Sequence, residues 1–166
     1  MSSIVLIGFM GAGKTTVGKE LVKKGFELID TDAYIEACEK MSISDIFAQK
    51  GEDYFRQAET KALKTLLVQD KQFVISCGGG MPLSEENRKL LKKLGMVVYL
   101  RIQPETVLAR LKGDTTRPLL KGDDSGERVR TLMKQREAHY LSGADFLLDV
   151  DQKTPGELAE EIFKEF

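Results

Sequence analysis

Short apolar runs alternate with segments of helical periodicity five times along this chain of 166 residues. The apolar runs predict strands over residues 3–8, 26–29, 72–77, 96–102 and 146–150. Because the first run is continuously hydrophobic, it has the character of a strand that is covered on both faces. This alternation predicts an α/β fold with a five-stranded parallel sheet flanked by helices on both faces. Ligand sites in such folds lie beyond the carboxyl ends of the strands.

Residues that commonly start or end helices support these boundaries. Ser84 and Thr154 are predicted to be N-caps, and Gly95 is predicted to end the helix that starts at Ser84. Residues 31–70 have a mostly helical pattern, which Gly51 divides into two parts. This long crossover leaves room for a small insertion between the second and third strands.

The hydrophobic period lapses after residue 112. Residues 113–126 contain three glycines, one proline and several charges, a composition that predicts a mobile loop. We expect a helix to resume near Glu127.

The composition excludes several classes of protein. Hydrophobic residues make up 42% and charged residues 31% of the chain, which is typical of one soluble domain rather than of a disordered chain or a coiled coil. The formal charge of -1 gives no overall positive field, so we expect neither a nucleic-acid partner nor a membrane partner. Cys38 and Cys77 lie far apart, and we find no cationic, apolar leader. We therefore expect reduced thiols, a cytoplasmic location and a monomer.

Residues 8–15 match the eight-residue pattern of a phosphate-binding P-loop, between a predicted strand and a predicted helix. Glycines at positions 8, 11 and 13 allow backbone N–H groups to point at phosphate oxygens, and the positive end of the helix dipole favours the same charge. Lys14 is predicted to reach the terminal phosphates, and Thr15 to offer its hydroxyl to Mg²⁺. The alternative is a glycine-rich turn without a ligand, which both the pattern and its context disfavour.

The rest of the sequence narrows the kind of nucleotide chemistry. Asn87 is the only asparagine, so the Asn-Lys-x-Asp segment by which guanine-nucleotide switches read the base is missing. Motor ATPases are usually larger than this chain. His139 is the only histidine and neither cysteine has a metal-ligand neighbour, so zinc chemistry is disfavoured. A small phosphotransferase is the interpretation that remains.

Polar or small residues follow the second and third predicted strands. Asp30 is suited to hold Mg²⁺ through water, and Asp32 to accept a hydrogen bond from an acceptor hydroxyl and act as a base. The alternative is that an aspartate here only caps the next helix. Residues 78–80 are three glycines, which form either a plain loop or a place where a ligand approaches the backbone closely.

Three arginines are candidates for binding anions, each with a simpler alternative. Arg56 and Glu59 have the spacing of a surface ion pair on a helix, and the residues alone favour that interpretation. Arg136, one turn before Tyr140, is either functional or solvated. Arg117 lies in the predicted loop and is a candidate for a cation that closes over the phosphates, although lone loop arginines usually face solvent.

Taken together, these motifs resemble those of the shikimate kinases, in order and over essentially the whole chain. The matching segments are residues 8–16, Asp30-x-Asp32, Phe55-Arg56-x-x-Glu59, Gly78–Gly80, Thr116–Leu119, and Arg136 before Tyr140. The resemblance implies a single P-loop kinase domain over residues 1–166, with a substrate-binding subdomain at 31–60 and a lid at 113–125. It also implies Mg²⁺-assisted phosphorylation of the 3-hydroxyl of shikimate by ATP, a step of aromatic amino-acid biosynthesis through chorismate.

The resemblance further implies a role for each matched residue. The implied nucleotide contacts are Gly11, Ala12, Gly13, Lys14, Thr15, Thr16, Arg110 and Arg117. The implied substrate contacts are Asp32, Arg56, Gly78, Gly79, Gly80 and Arg136, in which the two arginines bind the substrate carboxylate. Lys14, Asp32 and Arg117 are the implied catalytic residues, and Thr15 and Asp30 the implied metal site. Lys153 and Pro155 lie near the region that contacts the base in such kinases, without a distinctive motif.

Two other functions stay open at this stage. A kinase of the same class could act on a sugar acid such as gluconate or on a nucleoside monophosphate. A non-catalytic nucleotide-binding module would bind ATP and phosphorylate no small acceptor. The pairing of Arg56 with Arg136 argues mildly against the second alternative.

Overall fold

The computed structural model describes residues 2–111 and 125–166, and its centre is a sheet of five parallel strands in the order β2-β3-β1-β4-β5. The strands are β1 (Ser3–Ile7), β2 (Glu27–Asp30), β3 (Phe73–Ser76), β4 (Gly95–Arg101) and β5 (Phe146–Asp149). Their ends differ from the predicted ones by one residue at most. Every residue of the central strand β1 is buried, as its continuous hydrophobicity predicted. The parallel α/β fold is therefore confirmed.

Helices cover both faces of this sheet. They are α1 (Lys14–Val22), α2 (Thr31–Glu39), α3 (Ile43–Lys50), α4 (Glu52–Leu67), α5 (Glu85–Leu94), α6 (Pro104–Leu111), α7 (Ser125–Gly143) and α8 (Pro155–Glu165), with a 3₁₀ turn over Met81–Leu83. Helix α1 packs against α8 on one face, and α5 packs between α4 and α7 on the other. None of the helices in the described parts of the chain is long and apolar enough to cross a membrane.

Two of the predicted caps form as expected. The hydroxyl of Ser84 accepts a hydrogen bond from the Asn87 N–H at 3.3 Å, and that of Thr154 accepts one from the Glu157 N–H at 3.1 Å. Both are contacts over three residues, which sequence patterns capture well. Helix α7 begins at Ser125, two residues before the predicted start, and residues 112–124 lie outside the described residues.

The insertion after β2 contains three helices, whereas the helical pattern was expected to divide into two parts at Gly51. Gly51 separates α3 from α4 as expected, but α2 also ends early, at Glu39. Lys40 adopts a left-handed conformation with φ of 57°, and the Ser42 hydroxyl caps α3 by accepting from the Asp45 N–H at 3.1 Å. The insertion has a small hydrophobic cluster of its own, formed by Ile35, Ile46, Phe55 and Ala62.

The prediction that Gly95 ends α5 is confirmed, since the Gly95 N–H donates to the Leu91 carbonyl oxygen at the end of this helix. Gly95 does follow α5, but it is also the first residue of β4 and pairs with Ser3 of β1. A Cβ atom at this position would overlap the carbonyl oxygen of Ser3. The close approach of the two strands therefore requires glycine at this position.

Replacing Gly95 tests this account of the β1–β4 contact. Because Gly95→Ala pushes a methyl group into the backbone of β1, we expect a loss of about 2 to 3 kcal/mol in the free energy of unfolding. Gly156→Ala is the matched control, because its new Cβ would have open space around it. Beyond its two chain neighbours and the backbone of its own helix, the nearest atom is the Thr154 hydroxyl oxygen at 3.9 Å. The control should be neutral or stabilising by up to about 1 kcal/mol. Urea unfolding measures the free energy of unfolding of the wild type and of both variants. Equal stability of Gly95→Ala and Gly156→Ala would contradict the account.

Candidate active site

The connection from β1 to α1 is a tight loop that depends on its glycines. Gly11 and Gly13 adopt left-handed conformations with φ of 84° and 87°. Gly8 has φ of 150°, and a Cβ atom there would lie 2.5 Å from the carbonyl oxygen of Leu100 in β4. Both effects exclude larger residues. The loop can therefore curl at the N-terminus of α1, where backbone N–H groups favour anions.

Two cations are held at this loop. Lys14 is 9% exposed, and its Nζ donates to the carbonyl oxygens of Gly8 at 2.8 Å and Phe9 at 3.1 Å. Arg110, from α6, donates from Nη1 to the carbonyl oxygen of Gly11 at 2.8 Å. The positive charges therefore lie where the phosphates of a nucleotide would bind.

A cluster of oxygen atoms lies beside the loop, at the ends of β2 and β3. The Thr15 hydroxyl donates to Asp30 Oδ2 at 3.0 Å and lies 3.1 Å from the Ser76 hydroxyl. Asp30 Oδ1 accepts from the Ala33 N–H at 3.1 Å and so caps α2. The Asp30 carboxylate thus caps α2 with Oδ1 and belongs to the predicted metal cluster through Oδ2. Ser76 was not predicted, although its place at the end of β3 was a signal.

These oxygens suit a hard cation such as Mg²⁺. Among residues 2–111 and 125–166, no three His, Cys, Asp or Glu side chains come together in a way that would hold a metal by themselves. A magnesium ion bound near Thr15 and Asp30 would therefore take further ligands from nucleotide oxygens and water, as Mg²⁺ commonly does.

A cleft of about 450 Å³ extends from this cluster. It is lined by residues 10–17 of the loop and α1, by the ends of β2 and β3, and by Arg110. Thr16 is among the lining residues, as predicted, and Lys153 and Pro155 line the cleft at the start of α8. A nucleotide bound with its phosphates on the loop would lie in this cleft.

A smaller cavity of about 100 Å³ adjoins the cleft and shares Met10, Asp32, Gly78 and Gly79 with it. The predicted substrate residues all line this cavity: Asp32, Arg56, Gly78, Gly79, Gly80 and Arg136. They come from α2, α4, the segment after β3, and α7. An apolar wall completes the cavity. It is formed by Ile43 and Phe47, which sequence reasoning missed, and by Phe55 of the matched motif. We call this cavity the acceptor pocket.

The interpretation of Arg56 and Glu59 as a surface ion pair was wrong. Arg56 Nη1 lies 2.7 Å from Glu59 Oε1, and the Glu59 side chain is fully buried. Burial, with a smaller contribution from the neighbouring Asp32, raises the pKa of Glu59 to about 7, although the charge of Arg56 opposes this shift. Sequence spacing places the two side chains on one helix face, but it does not say that the helix turns this face inward.

Arg136 is not solvated either. Its side chain is 5% exposed, and its guanidinium carbon lies 5.7 Å from the centre of the Phe9 ring. Nη1 is buried and has no hydrogen-bond partner among the residues that the structure describes. Because buried N–H groups in proteins are nearly always paired, this atom marks a place for an anionic ligand.

The three glycines after β3 are explained by the charges around them. A Cβ atom on Gly78 would lie 2.7 Å from Asp32 Oδ1, and one on Gly79 would lie 3.2 Å from Arg136 Nη1. A Cβ atom on Gly80 would overlap the guanidinium of Arg56. The segment therefore lacks side chains because four charged groups, those three and Glu59, pack against its backbone.

Three further residues complete the account of the predictions. Arg117 lies outside the described residues. His139 Nδ1 lies 3.2 Å from Arg88 Nη1, and His139 lines neither cavity. Cys77 lines the cleft, but burial strongly raises the pKa of its thiol, which favours the neutral form over a nucleophilic thiolate.

Solved structures of other proteins share this architecture. Shikimate kinase from Acinetobacter baumannii in complex with shikimate is 37% identical, with a TM-score of 0.93, and the match covers 99% of this chain and 92% of that one. A sugar kinase from Janibacter sp. HTCC2649 is 17% identical with a TM-score of 0.62, over 99% of this chain and 93% of that one. The second likeness concerns the fold alone.

Sequence comparisons agree with this. Two proteins named shikimate kinase, from Thermodesulfovibrio yellowstonii and Thermoanaerobacter pseudethanolicus, are 46% and 44% identical to this chain over its whole length. The matches cover 95% and 96% of those two proteins. A family model described as shikimate kinase matches residues 10–166. The chain belongs to the shikimate kinase family.

Proposed function

We infer that the protein transfers the terminal phosphoryl group of ATP to the 3-hydroxyl of shikimate. The observation that carries this inference is that Asp32, Arg56 and Arg136 line one small pocket next to the phosphate-binding cleft. Membership of the shikimate kinase family supports it, and so does the relative from Acinetobacter baumannii whose structure contains shikimate. The reaction belongs to aromatic amino-acid biosynthesis.

ATP would bind in the larger cleft. Backbone N–H groups of residues 11–16 would bind the phosphate oxygens, with Lys14 and Arg110 as neighbouring cations. Mg²⁺ would be held near Thr15 and Asp30, with Ser76 as a further neighbour, and would neutralise phosphate charge.

The acceptor would bind through its carboxylate and its hydroxyls. The guanidinium groups of Arg56 and Arg136 suit a carboxylate, since they offer paired N–H donors in a plane. The apolar wall of the pocket suits the carbon ring of a small acid. Because Arg136 Nη1 is buried and has no partner in the described structure, binding an anion would satisfy it at little cost.

Asp32 would act as the base at the junction of the two sites. It lines both the cleft and the acceptor pocket, so a hydroxyl bound beside it would face the last phosphate of ATP. Transfer would then proceed in line, with Lys14 stabilising the charge on the phosphoryl group and no covalent enzyme intermediate. We assign the same stabilising role to Arg117, as the second cation of the transfer.

We also propose that the protein acts as a monomer in the cytoplasm, without a nucleic-acid or membrane partner. The formal charge of -1 gives no overall positive field that would attract a nucleic acid or an anionic membrane. Sedimentation of the purified protein would reveal a dimer if this is wrong.

Release of ADP tests the assignment of the acceptor. With Mg²⁺ and ATP present, shikimate should stimulate ADP release, whereas gluconate and nucleoside monophosphates should not. Stimulation by gluconate or a nucleoside monophosphate instead of shikimate would favour one of the rival kinases. A lack of stimulation by every acceptor would favour the non-catalytic nucleotide-binding module. Each of these two results, with the protein folded, would reject the proposed function.

Substitution of Arg136 tests the binding of the carboxylate. Arg136→Lys keeps the charge but loses the planar pair of donors, so we expect the KM for shikimate to rise by about 10-fold or more and the KM for ATP to change by less than about twofold. Arg130→Lys, on the same helix, is the control, because Arg130 is exposed and pairs with Glu105. Equal losses for both substrates in Arg136→Lys would count against the role.

The raised pKa of Glu59 predicts a change of stability with pH. Because this pKa is about 7 when folded and 4.5 ordinarily, the folded state binds the proton more tightly. The stability that this group contributes is present below pH 4.5 and is lost as the pH rises through 7.

Comparison with Glu59→Gln isolates this contribution. Between pH 4.5 and pH 8, the unfolding free energy of the wild type should fall relative to Glu59→Gln by roughly 3 kcal/mol. Glu52→Gln is the matched control, since Glu52 is exposed and also contacts Arg56. Denaturant titrations across this pH range measure the difference, and parallel curves for wild type and Glu59→Gln would disprove the assignment.

A further inference from the structure

The glycine segment, residues 78–80, ought to be among the most flexible parts of the chain, yet hydrogen bonds hold it at both ends. The Gly78 N–H donates to the Thr31 hydroxyl at 3.0 Å. The carbonyl oxygens of Gly78 and Gly80 accept from the N–H groups of Met81 at 3.1 Å and Leu83 at 3.2 Å. These bonds leave the carbonyl of Gly79 in the middle of the segment.

Tyr140 holds this remaining carbonyl. Its hydroxyl donates to the Gly79 oxygen at 2.6 Å, from helix α7 on the other side of the segment. The peptide bond is planar and trans, so the Gly79 C=O and the Gly80 N–H lie in one plane and point in opposite directions. A bond that fixes the carbonyl therefore also fixes the direction of the Gly80 N–H.

The peptide between Gly79 and Gly80 belongs to the acceptor pocket, whereas Tyr140 does not. Both glycines line the pocket, and the Tyr140 side chain is 1% exposed and does not line it. Any effect of the hydroxyl on the acceptor must therefore pass through the groups it contacts in the pocket, which are the glycine peptide and Arg136.

Tyr140 also shares a helix with Arg136, which lies one turn earlier. Arg136 Nη1 approaches Gly79 so closely that a Cβ atom there would be 3.2 Å away. Helix α7 thus supplies one pocket arginine and also the bond that fixes the adjacent glycine peptide. The distance between these two groups is set by a single rigid element.

The hydroxyl is well suited to be a permanent donor. The Tyr140 ring packs against Tyr99, with 5.1 Å between the ring centres. Burial raises the pKa of Tyr140 to about 12, although the charge of Arg136 and a hydrogen bond with its side chain act in the opposite direction. At neutral pH the group therefore carries its proton and donates it to the carbonyl.

We propose that Tyr140 is a positioning residue for the acceptor, because its hydroxyl fixes the Gly79–Gly80 peptide at a set distance from Arg136. The pocket would then bind a carboxylate at the arginine and a ring hydroxyl at the glycine peptide with matched geometry. This role rests on the proposed function, since it concerns how the same pocket binds shikimate. Tyr140 itself touches neither substrate.

Tyr140→Phe removes only the hydroxyl and is the primary test. We expect the KM for shikimate to rise by about 10-fold, the loss of one hydrogen bond to a buried peptide, and the KM for ATP to change by less than about twofold. Tyr99→Phe is the matched control, because it removes a hydroxyl from the neighbouring ring, which is also buried and does not bond to the glycine segment. The control should keep both KM values.

A second measurement separates positioning from a loss of general stability. The melting temperature of each variant is measured alone, with shikimate and with ADP. Tyr140→Phe should lose most of the increase that shikimate causes and keep the increase that ADP causes. A merely structural role would lower the melting temperature without ligand and leave both increases unchanged, and that result would overturn the proposal.

Nuclear magnetic resonance gives a readout that needs no activity. In ¹⁵N-labelled protein without ligands, the amide resonance of Gly80 should move in Tyr140→Phe and stay in place in Tyr99→Phe. An unmoved Gly80 resonance would overturn the proposal whatever the enzyme does. If wild type shows no turnover of shikimate, the proposed function fails instead, while the resonance still decides whether Tyr140 fixes the peptide.

Discussion

Four charged side chains meet at one end of β3, and they can do so because the backbone there has no side chains. Asp32, Arg56, Glu59 and Arg136 come from three helices and pack against residues 78–80. Two guanidinium groups and two carboxylates offset the cost of burying each other's charge. The arrangement leaves one buried guanidinium N–H without a protein partner in the described structure, and so it prepares the pocket for an anion.

The strand order places this pocket next to the phosphate-binding loop. Strand β3 lies between β2 and β1, and all three end at the same edge of the sheet because they are parallel. The segment after β3 therefore lies between the loop after β1 and the aspartates at the end of β2. This explains why Asp32, Gly78 and Gly79 line both cavities, and why an acceptor hydroxyl and a terminal phosphate would meet there.

Features that depend on near neighbours in the chain were predicted from local patterns, whereas the meeting of distant site residues was expected only from the resemblance to a family. Ser84 and Thr154 cap helices as expected, because a cap bonds to a residue three positions away. Gly95 ends α5 as predicted, but its contact with a strand more than 90 residues earlier was not foreseen. For Arg56 and Glu59 the contact itself was foreseen from the spacing, but the burial that changes its meaning was not.

The sequence by itself determined the number and direction of the strands, the phosphate-binding loop and the set of residues that form the site, because hydrophobic period, glycine positions and motif spacing are local properties. Only the tertiary structure decided that these residues share one pocket, which side chains are buried, and which hydroxyl holds the glycine segment. The order of the strands and the face that each helix turns inward arise from packing between elements far apart in the chain. No local pattern encodes that packing, so the place of Ser76 beside Thr15, the bond from Tyr140 to Gly79 and the apolar wall of the pocket became visible only in the folded protein.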